Sequence, residues 1–347
     1  MKASVVCANE DIRYQDYPTP EIKSGHIMVK VVAAGICGSD IPRVLKNGVH
    51  FYPIVLGHEF SGEVIEVADD VDEFAIGDRV AGVPLVPCMK CADCQEGRYS
   101  LCKYYTFIGS RIQGAFADYV LLPRQNAVKF DNNVSYEQGA LFEPSSVALH
   151  GLLQNNFHGG TDVAILGCGT IGLFTAQWAR ILGAKRVFVF DIDKMRLNIM
   201  KSFKVDHLIN TGDANFMEEV RQLTNGRGFD FVFETAGIDT TMQLAFEIAA
   251  NKAHICYIGT ATRDITFNYK QFELMNRKEF HLTGSWMSYS APFPGKEWSL
   301  TAHYFSTGEL IYDESIIFKK YPMRHAQEAF MMYKTPGLVK GKIMLMN

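Results

Sequence analysis

The 347-residue sequence has no surplus of positive charge, since 34 lysines and arginines face 38 aspartates and glutamates for a formal charge of -4. Without a broad basic field, neither nucleic acid nor an anionic membrane surface is an expected partner. A membrane span is lacking too. The uncharged stretch from Val163 to Ala179 is closed by Asp162 and Arg180 and interrupted by Gly167, Gly169 and Gly172, short of the ~20 apolar residues a span needs. No internal repeat or low-complexity tract occurs. The chain reaches Glu10 and Asp11 before any signal-like apolar core develops, so a cytoplasmic location is expected.

What is present follows two grammars. From Ser4 to about Leu122 short β-branched and aromatic runs are broken by glycine or proline, among them Ile27 to Ala33, Gly62 to Val67, Asp78 to Val83 and Ala115 to Leu122. This spacing predicts a mostly antiparallel β domain with long loops. After His150 buried strands alternate with amphipathic helices, the pattern of a parallel sheet covered on both faces. Strands are expected at Asp162 to Leu166, Arg186 to Phe190, His207 to Asn210, Asp230 to Glu234, Ala253 to Ile258 and Glu279 to Gly284. Beyond about Ser285 the alternation lapses. A last helix, His325 to Lys334, and a short strand, Gly341 to Met346, are expected to return to the first domain. The expected organisation is therefore an α/β chain with a β domain at 1–150 and 286–347 and a doubly wound domain at 151–285.

The first strand of the second half runs into Gly167-Cys168-Gly169-Thr170-Ile171-Gly172, a G-x-G-x-x-G turn. Its glycines serve the tight turn, the approach of backbone amides to a pyrophosphate and the packing of helix on strand. The helix N-terminus then faces the phosphates with its partial positive charge. Gly167, Gly169, Thr170, Ile171 and Gly172 are the cofactor-binding candidates. The next strand ends at Asp191, an acid suited to accept hydrogen bonds from the adenosine ribose hydroxyls and to repel a 2′-phosphate. NAD is expected over NADP. A tight turn that binds no nucleotide is the plainer alternative, and Cys168 within the loop reads as a space-filler.

Four of the eight cysteines, Cys88, Cys91, Cys94 and Cys102, cluster on a loop of about residues 86–104 punctuated by Pro87 and Gly97. Two C-x-x-C steps closed by a fourth cysteine suit one tetrahedral zinc ion with no opening for substrate, a structural site. Disulfides conflict with the missing signal segment, and a redox pair needs only two thiols. An iron–sulfur cluster stays open beside zinc. A second, dispersed set comprises Cys37, His58, Glu59 and Glu143. Singly, a buried cysteine or a His-Glu pair is ordinary. Together, a soft thiolate, an imidazole and carboxylates suit zinc while leaving one position exchangeable. A metal so held lowers the pKa of a bound oxygen, which is what oxidation of an alcohol requires.

With these residues assembled, the chain resembles the zinc-containing medium-chain alcohol dehydrogenases over essentially its full length. The resemblance is carried by Gly-Ile-Cys-Gly-Ser-Asp at 35–40, Gly-His-Glu-Phe-Ser-Gly at 57–62, Gly-Asp-Arg-Val at 77–80, the four-cysteine lobe and Gly-Cys-Gly-Thr-Ile-Gly at 167–172. It implies a GroES-like β catalytic domain plus a Rossmann doubly wound parallel sheet, an NAD cofactor, two zinc ions per subunit and a homodimer or homotetramer. It also implies that Cys37, His58 and Glu143 are zinc ligands, that Glu59 binds zinc directly or through water, and that Ser39 passes the substrate proton toward solvent.

Within the family the polyol branch is the most similar, on the segments 42–48, 107–111, 284–287 and 294–298. The implied reaction is oxidation of galactitol 1-phosphate to tagatose 6-phosphate, so the expected partner is a small-molecule polyol phosphate. Arg43, Lys46 and Arg111 lie near the ligand motifs and suit a phosphate clamp. The alternative is that all three are solvated surface cations. Pro42 stands where some family members carry a proton-relay histidine, and His50 is either a substitute or an ordinary loop histidine. The segment from Trp286 to Trp298 reads as a cleft lining or a subunit contact. Dehydrogenases of sorbitol, threonine or a diol are the nearest alternatives. A zinc-stabilised binding protein without turnover is the alternative from another class.

Overall fold

The strand His26–Gly35 is apolar at eight of its ten positions and mostly buried. The structure, a computed structural model describing residues 1–347, shows why: the strand is bonded on both edges. Glu59–Val67 runs antiparallel along one edge. Tyr119–Pro123 covers the first half of the other edge, and Lys342–Met346 the second half. The chain's last strand thus completes the sheet around an early one, and Ile317–Pro322 pairs parallel outside it. Arg79–Gly82 and Ala127–Lys129 extend the sheet to seven strands. A three-stranded sheet packs into the same core, in which Val5, Ile27, Val29, Val31, Phe60, Phe116, Phe330, Ile343 and Leu345 are almost fully buried. These segments form one unit, Met1–Glu143 with Tyr289–Asn347.

The second unit, Pro144–Ser288, holds six parallel strands in the order His207–Asn210, Arg186–Asp191, Asp162–Leu166, Phe229–Glu234, Ala249–Tyr257, His281–Gly284. Winding starts at Asp162–Leu166 and proceeds outward in both directions. That order puts a topological switch between Asp162–Leu166 and Phe229–Glu234, where open α/β sheets place ligands at the carboxyl ends of the strands. Phe188, Phe190, Phe229, Phe246 and Ile255 fill one face of the sheet.

Two elements differ from the sequence expectation. The fifth strand begins at Ala249 instead of Ala253, because the chain leaves helix Asp239–Ile248 directly into pairing with Phe229, with a register shift before Phe231. Lys278 closes that junction by donating from Nζ to the carbonyls of Phe246, Glu247 and Ala249 at 2.9, 2.7 and 2.7 Å. The helix expected over His325 to Lys334 is α-helical only at Ala326–Met331, with a 3₁₀ turn on each side. No helix is long and apolar enough to cross a membrane.

Asp162 and Arg186 open the first two parallel strands in register, and Arg186 donates from Nε and Nη2 to the two Asp162 carboxylate oxygens. That contact, with burial opposing it, holds the Asp162 pKa below its ordinary value. A depressed carboxylate stabilises the fold above its unfolded pKa of about 3.9 and loses that contribution as pH falls through the folded value. Asp162→Asn is expected to cost about 1 kcal/mol at pH 7. Urea denaturation of both proteins should show the gap closing below about pH 4, and a pH-independent gap would refute the ion pair as its source.

Candidate active site

Register brings the dispersed ligand candidates together. Gly35 pairs with Glu59, so the residues leaving one strand, Ile36-Cys37, and those entering the next, His58-Glu59, emerge at the same edge. Cys37 Sγ, a His58 ring nitrogen and a Glu59 carboxylate oxygen all lie within 4.8 Å of one another. Glu143 falls outside that tight group. It sits in the first turn of helix Phe142–Gln154, close enough for its carboxyl to sense the others. Burial, and next Glu59 and Asp40, push its pKa up to about 7 against the pull of His58 and Lys342.

Two further charged residues complete the centre. His58 Nδ1 lies 3.5 Å from Asp40 Oδ2, and both atoms are buried without another partner. A carboxylate at Nδ1 favours the tautomer with its proton there and leaves Nε2 free for a metal. Lys342, from the last strand, donates from Nζ to both Glu59 oxygens at 2.8 and 2.6 Å and to the carbonyl of Ile36 at 3.2 Å. Burial disfavours its charge, yet Glu59 and then Cys37 outweigh that and hold the ammonium above the ordinary lysine range. Burial, then Glu59, drives the Cys37 thiol well up. The Cys37 sulfur accepts from the Ser39 hydroxyl at 3.3 Å and from its N–H at 3.5 Å.

These residues fit a divalent ion. Lys342 offsets Glu59, and Arg43 offsets Asp40 across a 3.0 Å contact. Cys37 and Glu143, ionised by a bound metal, would then be left to balance its two positive charges. The donor set of sulfur, imidazole and carboxylate is the mixture zinc takes in sites that keep a position open.

The other cluster differs in kind. The sulfurs of Cys88, Cys91, Cys94 and Cys102 lie mutually within 4.8 Å, with Cys88 and Cys94 4.0 Å apart. Two corners of a tetrahedron with metal–sulfur bonds of about 2.3 Å are roughly 3.8 Å apart, whereas a disulfide would need about 2 Å. Backbone N–H groups point inward, Cys91 to the Cys88 sulfur at 3.4 Å and Cys88 to the Cys102 sulfur at 3.3 Å. Hydrogen bonds from the backbone of Lys90 and Cys91 lower the Cys88 pKa to about 6. The lobe is closed at its base where Leu85–Val86 pairs with Thr106–Phe107.

In the second unit each glycine of the turn shows its reason. Gly167 has φ +106, a value a side chain resists, and a Cβ on Gly172 would lie 1.9 Å from the Gly167 carbonyl oxygen. A Cβ on Gly169 would meet nothing within 4 Å, so that side of the turn lies open to a ligand as a pyrophosphate cradle requires. Thr170 and Ile171 begin helix Thr170–Ile181 at that opening. Asp191, buried at the end of its strand, accepts from the N–H of Cys168 at 2.7 Å and of Asp193 at 2.8 Å. Its two carboxylate oxygens therefore fasten the turn to the end of the second strand. Cys168 is buried, in keeping with a packing role.

Residues 23–132 match the alcohol dehydrogenase GroES-like domain family, and residues 170–302 match the zinc-binding dehydrogenase family. The chain is 40% identical over 311 residues to galactitol 1-phosphate 5-dehydrogenase of Escherichia coli K12, an alignment covering 89% of this chain and 90% of that one. The chain belongs to the zinc-containing alcohol dehydrogenase family. Sorbitol dehydrogenase of Bacillus subtilis is 34% identical over 269 residues, 76% of each chain. The crystal structure of galactitol-1-phosphate dehydrogenase from Escherichia coli superposes with a TM-score of 0.95 at 37% identity, covering 100% of both chains. This protein is thus an oxidoreductase with the medium-chain dehydrogenase fold, a GroES-like domain and a Rossmann domain.

In this dehydrogenase Ser39 is exposed beside the centre, and Arg43 Nη1 donates to its hydroxyl at 3.0 Å. Lys46, His50 and Arg111 are exposed. Of the aromatic segment, Tyr289 and Trp298 are buried and stack with centroids 6.1 Å apart, while Trp286 is half exposed. Asp40 and Lys342 escaped sequence reasoning. The signal for Lys342 was a lysine opening an otherwise apolar run, Ile343 to Met346, where burial of a charge demands a partner. Lys342→Met is expected to cost about 3–5 kcal/mol by stranding a buried carboxylate. Lys342→Met with Glu59→Leu should recover a large part of that in chemical denaturation. A double variant as unstable as the single would show that the pair is not the cause.

Proposed function

We propose that this dehydrogenase oxidises a secondary alcohol of a polyol phosphate with NAD, with galactitol 1-phosphate to tagatose 6-phosphate as the reaction best supported. The observation that carries it is the convergence of Cys37, His58 and Glu59 beside an exposed Ser39 hydroxyl that touches Arg43. The names of the relatives matched over most of the chain support the same substrate class. Cys37, His58 and Glu143 hold the catalytic zinc, with Glu59 able to join them, and the four lobe cysteines hold a second ion. When bound, zinc would lower the pKa of the substrate hydroxyl and NAD would accept the hydride.

The chain's own residues do the rest. Asp40 orients His58. The Ser39 N–H steadies the Cys37 sulfur, and the Ser39 hydroxyl, open to solvent, turns its O–H from that sulfur to water as it takes the proton released from the substrate. Polyol phosphate and NAD⁺ yield ketose phosphate, NADH and one proton. In the second unit Gly167, Gly169, Thr170, Ile171 and Gly172 receive the pyrophosphate, and Asp191 the ribose. Exposed Leu282 on the one-sided edge strand His281–Gly284 and Trp286 just after it support a homo-oligomer.

NADH formation measured with galactitol 1-phosphate, galactitol, sorbitol and threonine should be fastest by kcat/KM with the first. A sorbitol or threonine preference would replace the substrate assignment, and an NADP preference would overturn the role of Asp191. Elemental analysis should find two zinc ions per chain, and one in Cys94→Ser with a lowered Tm. Two ions retained by that variant would remove the lobe as a zinc site.

A further inference from the structure

The three cations near the centre have different surroundings. Arg43 is committed inward, its Nη1 donating to both Ser39 Oγ and Asp40 Oδ1 at 3.0 Å. Lys46, one turn on, is exposed, and only its backbone carbonyl is engaged, by Asn9 Nδ2 at 3.0 Å. Arg111 lies in the turn after Thr106–Phe107. Its guanidinium carbon stands 4.6 Å from the centroid of the Tyr105 ring, and its Nη2 donates to the Tyr105 hydroxyl at 3.2 Å. No carboxylate reaches it, so its remaining N–H groups form an unused fork.

Arg111 is linked to the metal centre through aromatic rings. Tyr105 meets Phe107 edge-on with centroids 6.5 Å apart, and Phe107 meets His58 edge-on at 5.5 Å. The two guanidinium groups also share a neighbour. Burial, then Arg111 and Arg43, lower the His50 pKa, so both arginines act on the same exposed imidazole. One cation thus adjoins the ligand cluster, and the other stands two rings away from His58.

We propose that Arg111, carried on Tyr105, selects substrates with a terminal phosphate, that Arg43 is a positioning residue for Ser39 and Asp40, and that Lys46, whose ammonium nothing holds in place, does not set that preference. This rests on the polyol-phosphate reading. The fork of Arg111 matches a phosphate in two parallel hydrogen bonds, which a lysine does not reproduce. Stacking on Tyr105 fixes the plane of that fork before substrate arrives.

The test compares kcat/KM for galactitol 1-phosphate with that for galactitol in the zinc-loaded wild type, Arg111→Ala, Arg111→Lys, Arg43→Lys and Lys46→Ala, and measures inorganic phosphate as a competitive inhibitor against galactitol. Arg111→Ala should lower the preference ratio roughly 10- to 100-fold and weaken phosphate inhibition, with Arg111→Lys between it and wild type. Arg43→Lys should lower kcat for both polyols with little change in the ratio, and Lys46→Ala should leave the ratio intact. A large wild-type ratio that survives in Arg111→Ala, or that collapses in Lys46→Ala, overturns this assignment alone. A wild-type ratio near one overturns the polyol-phosphate reading and the selective role with it.

Discussion

The buried pairing of Lys342 with Glu59 is the constraint on which the catalytic unit turns. Removing a carboxylate from water costs several kcal/mol unless a counter-charge and hydrogen bonds meet it, and here the counter-charge arrives on the final strand. That strand cannot be mispaired without stranding the acid, so the requirement that closes the sheet also completes the site. With Glu59 matched by Lys342 and Asp40 by Arg43, Cys37 and Glu143 are the groups left to ionise when a metal binds. Specific charge closure, more than the number of carboxylates, makes the place fit for a divalent ion.

Much of this was legible in the sequence wherever function depends on neighbours along the chain. The four lobe cysteines lie within fifteen residues, and the glycine turn within six. Their spacing alone raised the metal-lobe and nucleotide-turn readings, and the coordinates add the gathering of the four sulfurs and the open side at Gly169. Cys37 and His58 were legible as a set because they recur in short motifs. Lys342 was not, since it stands 283 positions from Glu59 and only strand order brings the two together. Asp40 was visible as a letter in a motif, but its contact with His58 depends on how the turn after Cys37 folds back.

The fold divided in the same way. Alternation of buried runs and helices pointed to the six parallel strands, because the central ones carry unbroken apolar runs, Val163 to Leu166 and Val187 to Phe190, and each crossover is long enough to be helical. Boundaries were harder where two elements meet without a loop. Ala249 to Lys252 mixes apolar and polar residues and lies before the expected strand, yet pairing with Phe229 makes it strand. At His325 to Lys334 the apolar positions Ala326, Ala329 and Phe330 do face the core, but the turns on either side tighten to fit the strand before and the loop after.

The narrow base of the cysteine lobe has a consequence for the opposite end of the substrate. Phe107 is at once a paired residue of that base, opposite Leu85, and the ring that touches His58. Tyr105 and Arg111 follow the same short segment. With an ion held by its four sulfurs, the lobe would work as a gauge block, fixing the base of the loop so that the stretch from His58 through Phe107 to Arg111 keeps one length. On the proposed function, a metal that meets no substrate would then set the size of molecule the enzyme can grasp.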